Sequence, residues 1–495
     1  MFFHLEAIQF ASTIFDTNDI STIRGGSILN ESLPKGFATN LPAEITAKVI
    51  ADGGSKLILK IDPDQKAKVG DLLQRFLASD PWVHLVATWG FGETPVDASN
   101  EAAKRAASLW SVPKIDDGWG KVPCDIDHIR TASVDSKKGD RSVKVSTSVH
   151  ARRTYGRKIR PGVFDGTDSL SPPRSFEDIV KPHSRDSWTP LVVKGKLAVV
   201  AADGIGGEKL RKKLGETDMR AFMVAFKKRI SDALCDWLER EGLIHEDADT
   251  DETQRSAQMD VLFWGGDDMR FIVPAHSVVS FIQELLDLFE TPTRFGAGKV
   301  VDRFPHRIGA VIAQHKVPFR QLNALSETLE YSAKAAADQT QSAVCMAIFE
   351  SASPPYDNLH EYWNISYGPG HCQAFEVYTK SEFERLVQIC ANLDDFGASK
   401  SGISITQINR LLRMEGVPRK PLLPKANDPK SADTRILENL GDYFDRVVGE
   451  TFVQSDAFGS LSETRGLALL LSHVAQTTPY VQASLLGGTQ SELQA

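Results

Sequence analysis

The sequence predicts an α+β protein in which two βαββαβ units precede a mainly helical domain. Three observations predict it. Strand, helix, Gly-Gly hairpin, helix and strand patterns succeed one another between about 191 and 350. The same order recurs in looser form before residue 111, with its own Gly-Gly hairpin. Beyond about 375 only helix-period apolar spacing remains.

In the first unit, residues 1–111, Phe2 to Ala11 is apolar enough for a strand and is followed by a polar, Gly-containing segment, Asp16 to Ser27. Ile45 to Ala51 and Lys56 to Ile61 read as two strands joined by Asp52-Gly53-Gly54-Ser55, because glycine supplies the positive φ of a tight turn without steric conflict. Ala67 to Ala78 carries Val69, Leu72, Leu73, Phe76 and Leu77 at helical spacing, and Trp82 to Trp89 reads as a strand.

Residues 112–190 change character. Prolines recur, and Arg141 to Arg160 holds seven Lys/Arg and no acid. This predicts a basic, Pro-rich connecting segment of irregular structure. Arg141, Lys144, Arg152, Arg153, Arg157, Lys158 and Arg160, with Tyr155 among them, form a run able to track an RNA backbone, although a solvated loop explains such a run equally well.

The second unit, residues 191–350, is more regular. Leu197 to Ala202 is a continuous apolar run, the mark of a buried strand, and ends in Asp203-Gly204-Ile205-Gly206-Gly207. Thr217 is placed to cap a helix with Phe222, Phe226, Ile230, Leu234 and Leu238 on one face and Gly242 as its stop. Met259 to Trp264 and Met269 to Val273 flank Gly265-Gly266-Asp267-Asp268, a second hairpin. Helix (Val278 to Phe289), strand (Arg307 to Gln314), helix (Phe319 to Ala337) and strand (Val344 to Phe349) complete it. The order is the split βαβ of a ferredoxin-like domain, and the two units read as diverged copies. The domain 351–495 carries helical patterns at Ser381 to Leu393, Ile405 to Met414, Thr434 to Val448 and Glu463 to Ala475.

Composition bounds the function. The 495 residues are 41% hydrophobic and 25% charged, values of an ordinary globular chain. With 57 Lys+Arg against 65 Asp+Glu the net charge is -8, which argues against coating nucleic acid over the whole surface. No run approaches the roughly 18 apolar residues of a membrane span. The five cysteines are scattered and form no CxxC pair, so a cytoplasmic location is expected rather than a disulfide scaffold or zinc ribbon.

The chemistry converges on Asp203, Asp267 and Asp268. In a split βαβ sheet strand three lies beside strand one, so the hairpin turn and the end of strand one share an edge. Convergent carboxylates without Cys or His suit Mg²⁺ or Mn²⁺ and phosphoryl or nucleotidyl transfer. Gly265 and Gly266 keep the turn small and let a nucleotide approach the backbone, and Gly204 and Gly207 open the loop after strand one.

The segments LAVVAADGIGG (197–207), FWGGDDMRFIVPA (263–275) and IGAVIAQHKVPFRQL (308–322), leading into Tyr331-Ser332-Ala333-Lys334, resemble the polymerase/cyclase palm in the large subunit of type III CRISPR effector complexes, related to GGDEF nucleotide cyclases. Residues 4–27 resemble that family's first palm, and 374–393 the lead-in to its C-terminal helical domain. The resemblance implies conversion of ATP to linear and cyclic oligoadenylate, with Asp203, Asp267 and Asp268 as metal-binding carboxylates. It places Lys316 and Lys334 at triphosphate-binding positions. It further implies that Gly53, Gly54, Ser27 and Arg24 touch a nucleotide held against the degenerate first palm, where Gly53-Gly54-Ser55-Lys56 stands in place of Gly-Gly-Asp-Asp. Guide RNA, target RNA and other effector subunits are the implied partners. The chain starts almost directly at the first palm strand, so the family's HD nuclease domain and DNA cleavage are not expected; a zinc module between the palms is also missing. A stand-alone cyclase making another cyclic nucleotide, and a non-catalytic nucleotide-binding scaffold, are the alternatives.

Overall fold

The computed structural model describes residues 1–8, 13–53, 55–109, 122–138, 141–158, 170–181, 194–247, 254–336, 338, 340–349, 359, 377–384 and 387. The first unit runs β1 (Phe2–Ile8), α1 (Ile20–Thr39), β2 (Ala47–Gly53), β3 (Lys56–Ile61), α2 (Lys66–Leu77), β4 (Val86–Gly92) and α3 (Pro95–Ser108). Its sheet has the order β2-β3-β1-β4, antiparallel throughout. The polar segment after β1 enters a long helix that simple periodicity passes over. Asp19 caps α1, its carboxylate accepting from the Thr22 N–H at 3.1 Å. Trp82 to His84 is a 3₁₀ turn, so the strand expected from Trp82 begins only at Val86.

Between the units lie β5 (Val134–Lys138), β6 (Arg141–Val145), α4 (Thr147–Lys158), β7 (Leu170–Ser171) and α5 (Phe176–Val180). The irregular connection expected here is therefore corrected: the basic run builds a hairpin strand and a helix. Gly25 and Gly156 let α1 and α4 cross closely, since a Cβ on Gly25 would lie 1.7 Å from the Arg152 carbonyl oxygen. Arg152 is buried, and its guanidinium donates to Asp16 at 2.8 Å and 3.0 Å and to the Thr13 carbonyl at 2.7 Å. Arg153 is buried against Asp19 at 3.1 Å. These two arginines balance buried acids, so neither faces an RNA backbone; Arg160 lies outside the described residues.

The second unit contains β8 (Lys196–Gly204), α6 (Gly207–Leu214), α7 (Glu216–Arg240), β9 (Ile244–Asp247), β10 (Gln254–Ala257), β11 (Asp260–Gly265), β12 (Asp268–Pro274), α8 (Val278–Glu290), β13 (Thr293–Phe295), β14 (Lys299–Val301), β15 (His306–Gln314), α9 (Phe319–Ala336), β16 (Ala343–Ile348) and β17 (Tyr378–Thr379). Its main sheet runs β11-β12-β8-β15-β16-β17. The first four strands repeat the order of the first unit, and α9 adds β16 parallel to β15. Thr217 lies inside α7, whose N-cap is Gly215 at φ 77°, because the preceding α6 already ends there. Gly242 closes α7 at φ 65°, as expected.

Alternation sorts the sheet faces. Ala198, Val200, Ala202, Met269, Phe271 and Val273 pack with α7 and α8, while Leu197, Val199 and Ile272 pack with α9 and with Ile14, Phe15, Ile20 and Ile23 of the first unit. The two units meet reciprocally: α1 lies along β11, and α7 lies against β2, where Arg220 pairs with Asp52 at 2.7 Å. Lys227 of α7 also reaches Glu31 of α1 at 2.7 Å. Of the C-terminal helical domain, residues 380–384 are helical; the helices expected at 405–414, 434–448 and 463–475 lie outside the described residues.

Candidate active site

Strand register places the carboxylates. Met269 pairs with Ala202, so one step further along the ladder Asp268 stands opposite Asp203. Gly265 pairs with Asp268 across a turn in which Gly266 adopts φ 73°. Asp267 occupies that turn, and its carbonyl accepts the Gly204 N–H at 3.2 Å. A Cβ on Gly204 would lie 2.6 Å from Asp267 Cβ, and one on Gly207 would lie 2.8 Å from Asp267 Oδ2. Both glycines are thus required by the Asp267 side chain, which sits over the start of α6.

The first unit repeats this ladder with different chemistry. Glu6 pairs with Lys56, and the Ala7 N–H donates to the Ser55 carbonyl at 3.0 Å. Glu6 thereby corresponds to Asp203, and Lys56 to Asp268. Two facing carboxylates in the second unit become an ion pair of 3.2 Å in the first. Burial opposes the charge on Glu6, but the His4 and Lys56 contacts outweigh it and hold its carboxyl below the usual range. At this edge the first unit carries its own counter-charge.

The acidic cluster is larger than the sequence suggested. Period-two alternation turns Asp203, Asp268 and Arg270 to the α9 face. Arg270, 7% exposed, bonds Asp268 and reaches Glu327 at 3.3 Å and Glu330 at 3.6 Å. Lys334 Nζ donates to Asp203 Oδ2 at 2.5 Å. Burial, reinforced by the Asp203 charge, pushes the Asp268 carboxyl up to about 6 despite Arg270. Burial also raises Asp267, with Asp203 adding to it. Glu330 is pushed up to about 7 by burial, with Asp203 and Asp268 contributing against Arg270. The hydrogen bond to Asp203 raises Lys334. Arg270, Glu327 and Glu330 were missed. Their signal was Arg270 two residues past Asp268 on one strand face, and Glu327, Glu330 and Lys334 at helical spacing.

Among the described residues no three His, Cys, Asp or Glu side chains form a ready-made metal cage. The donor set nevertheless fits a hard divalent cation, because Mg²⁺ usually takes one or two carboxylates and completes its shell with water and substrate phosphate. Asp203 and Asp268 face each other, and burial, with the Asp203 charge adding to it, raises Asp267 and Asp268, a penalty that a bound cation would relieve.

Other expected residues fall elsewhere. Lys316 is corrected: β15 runs antiparallel to β8, with His306 beside Gly204 and Gln314 beside Lys196, so Lys316 is exposed at the opposite end of the sheet. At about 3.3 Å per residue the separation is roughly 25 Å. Arg24 is also corrected, being buried in an ion pair with Asp260 at 2.6 Å. Ser27 is buried one turn further along α1, at 4% exposure, in the helix that lines β11. Gly53 ends β2 beside the Asp52–Arg220 contact, and Gly54 lies outside the described residues.

Residues 196–343 match the family model described as Cas10/Cmr2, second palm domain. The match covers the segments 197–207, 263–275 and 308–322 and bears out the resemblance drawn from them. No curated protein matches the chain. A crystal structure of a Csm1–Csm4 cassette in complex with cA3 aligns at TM-score 0.51 and 13% identity, over 96% of this chain and 69% of that one. Cassettes in complex with cA4 and with AMPPNP each align at TM-score 0.50 and 12% identity, with the same coverage. At these identities the likeness is one of fold, and the fold is that of paired palm domains. No helix among the described residues is long and apolar enough to cross a membrane.

Proposed function

We propose that this chain is a metal-dependent nucleotidyltransferase that joins ATP into linear and then cyclic oligoadenylate as the large subunit of a type III CRISPR-like complex. The observation that carries the reading is the facing pair Asp203 and Asp268, with Asp267 beside them, in a segment matching the Cas10/Cmr2 second palm. The similar cassettes bind cA3, cA4 and AMPPNP, products and a substrate analogue of this chemistry.

In each step a 3′-hydroxyl gives up its proton to water, its oxygen forms a bond to an α-phosphorus, the bond from that phosphorus to the bridging oxygen breaks, and pyrophosphate leaves. Ring closure repeats the step within one oligomer. A divalent cation held by Asp203 and Asp268, with Asp267, would supply a lowered pKa at the attacking hydroxyl and offset charge on the leaving pyrophosphate. Lys334, which donates to Asp203, stands at the edge of the site, where it would exchange onto a bound triphosphate. Gly266, where a Cβ would meet nothing within 4 Å, gives the nucleotide open backbone to approach, while Gly204, Gly207 and Gly265 make room for Asp267 and Phe263 beside it. Gly53, Gly54 and Ser27 stay as contacts of a second nucleotide only if the palms part around α1. A Csm4-like subunit, guide RNA and target RNA are the proposed partners.

The test is product analysis by chromatography and mass spectrometry. The chain is incubated with ATP and Mg²⁺ or Mn²⁺, alone and with partner subunits and RNA. Adenylate ladders and rings are expected, and their loss in Asp267→Ala/Asp268→Ala. Products from another nucleotide would replace ATP in the reading. Silence in every combination would leave a binding scaffold instead.

A further inference from the structure

We propose that Tyr331 is the ring on which the purine base of the bound nucleotide stacks; this rests on the nucleotide reading of the carboxylate site. Glu327, Tyr331 and Lys334 occupy helix α9 at spacings of four and three, so they share one stripe of its surface. Both neighbours of Tyr331 on that stripe touch the acidic cluster. Glu327 accepts from Arg270 at 3.3 Å, and Lys334 donates to Asp203 at 2.5 Å. Glu330, beside Tyr331, turns inward to Arg270 at 3.6 Å.

Tyr331 itself is 70% exposed. Among the described residues it is the only exposed aromatic; the others are buried or half-buried. Helical side chains lean towards the N-terminus, so its ring covers the turn carrying Glu327, beside the cluster. The surrounding site is ionic and supplies partners for phosphate and cation, and among the described residues this ring alone offers an exposed flat apolar surface to a base. Stacking tolerates any base, so Tyr331 contributes affinity for the base rather than its identity.

The experiment is calorimetric binding with Mg²⁺ of 3′-deoxy-ATP, which lacks the attacking hydroxyl, and of inorganic tripolyphosphate, which lacks the base. Tyr331→Ala is expected to weaken 3′-deoxy-ATP about tenfold and leave tripolyphosphate unchanged, while Tyr331→Phe binds both like the wild type. The exposed position predicts an unchanged melting temperature. Undiminished binding of 3′-deoxy-ATP by Tyr331→Ala overturns the proposal, as does equal weakening of both ligands. Wild-type protein that binds neither ligand overturns the nucleotide reading itself, a result distinct from either.

Discussion

Arg24 and Asp260, 236 residues apart in sequence, form a buried ion pair that ties α1 of the first palm to the edge strand β11 of the second. The guanidinium also donates to the carbonyls of Gly156 at 3.1 Å and Pro173 at 2.7 Å. One side chain thus joins both palms and two parts of the connecting segment. The neighbouring pairs Arg152–Asp16 and Arg153–Asp19 anchor α4 to the entry of α1. Two arginines of the basic run therefore hold α4 to the first palm, while Arg24 ties that palm to the second.

Removing one partner of that pair leaves a buried charge without compensation. Asp260→Leu is expected to destabilise the chain by roughly 3 to 5 kcal/mol, and Arg24→Met/Asp260→Leu by much less. Denaturant unfolding of the two variants beside the wild type checks this. Equal losses would show that the pair's surroundings, rather than the unpaired charge, set the penalty.

Gly204→Ala brings a Cβ to 2.6 Å from Asp267 Cβ and 2.9 Å from Phe304 Cζ. The Asp267 turn must shift, so product formation is expected to fall by roughly tenfold or more, about 1.4 kcal/mol of barrier. Gly70→Ala, where a Cβ meets nothing within 4 Å, is the control and should keep full activity. Comparing initial rates and melting temperatures separates the local displacement from unfolding.

Glu330 sets a pH dependence in the metal-free chain. Its ordinary value is 4.5 and its folded value about 7, so the folded state favours the protonated acid. That stabilisation is complete below about 4.5 and is lost as pH rises through about 7. The loss is on the order of 3 kcal/mol. Glu330→Gln cannot titrate and should show a flatter melting profile between pH 5 and pH 8, approximately the window above. Parallel profiles would remove Glu330 as the source.

The Glu6–Lys56 ladder predicts that divalent cation binds one palm only. Mn²⁺ binding followed by electron paramagnetic resonance should be lost in Asp203→Ala/Asp268→Ala and unchanged in Lys56→Ala. Lys56 is 58% exposed, so its removal is expected to change stability by less than about 1 kcal/mol. Loss of Mn²⁺ in Lys56→Ala would contradict the assignment.

Much of the architecture was legible because periodicity is local. The apolar run Leu197 to Ala202, the two Gly-Gly hairpins and the period-3.6 faces of α7, α8 and α9 each identify themselves within a window of residues. So did Asp203, Asp267 and Asp268, since a βαββαβ order already dictates that strands one and three are neighbours. Other features depend on which distant segment supplies the partner. Arg152 and Arg153 read as solvated charges until Asp16 and Asp19 are found beneath them. Arg24 reads as a ligand contact until Asp260 meets it. Lys316 follows the right strand motif but leaves from the wrong end, because strand direction in the sheet decides which loop meets the carboxylates. Local pattern and chain order were enough for the strands and helices of the second unit and for the convergence of three aspartates on one sheet edge. Charge pairing, the Arg24–Asp260 tie between palms and the Arg270–Glu330 support emerge only on folding, because burial and electrostatics depend on neighbours that chain order does not name.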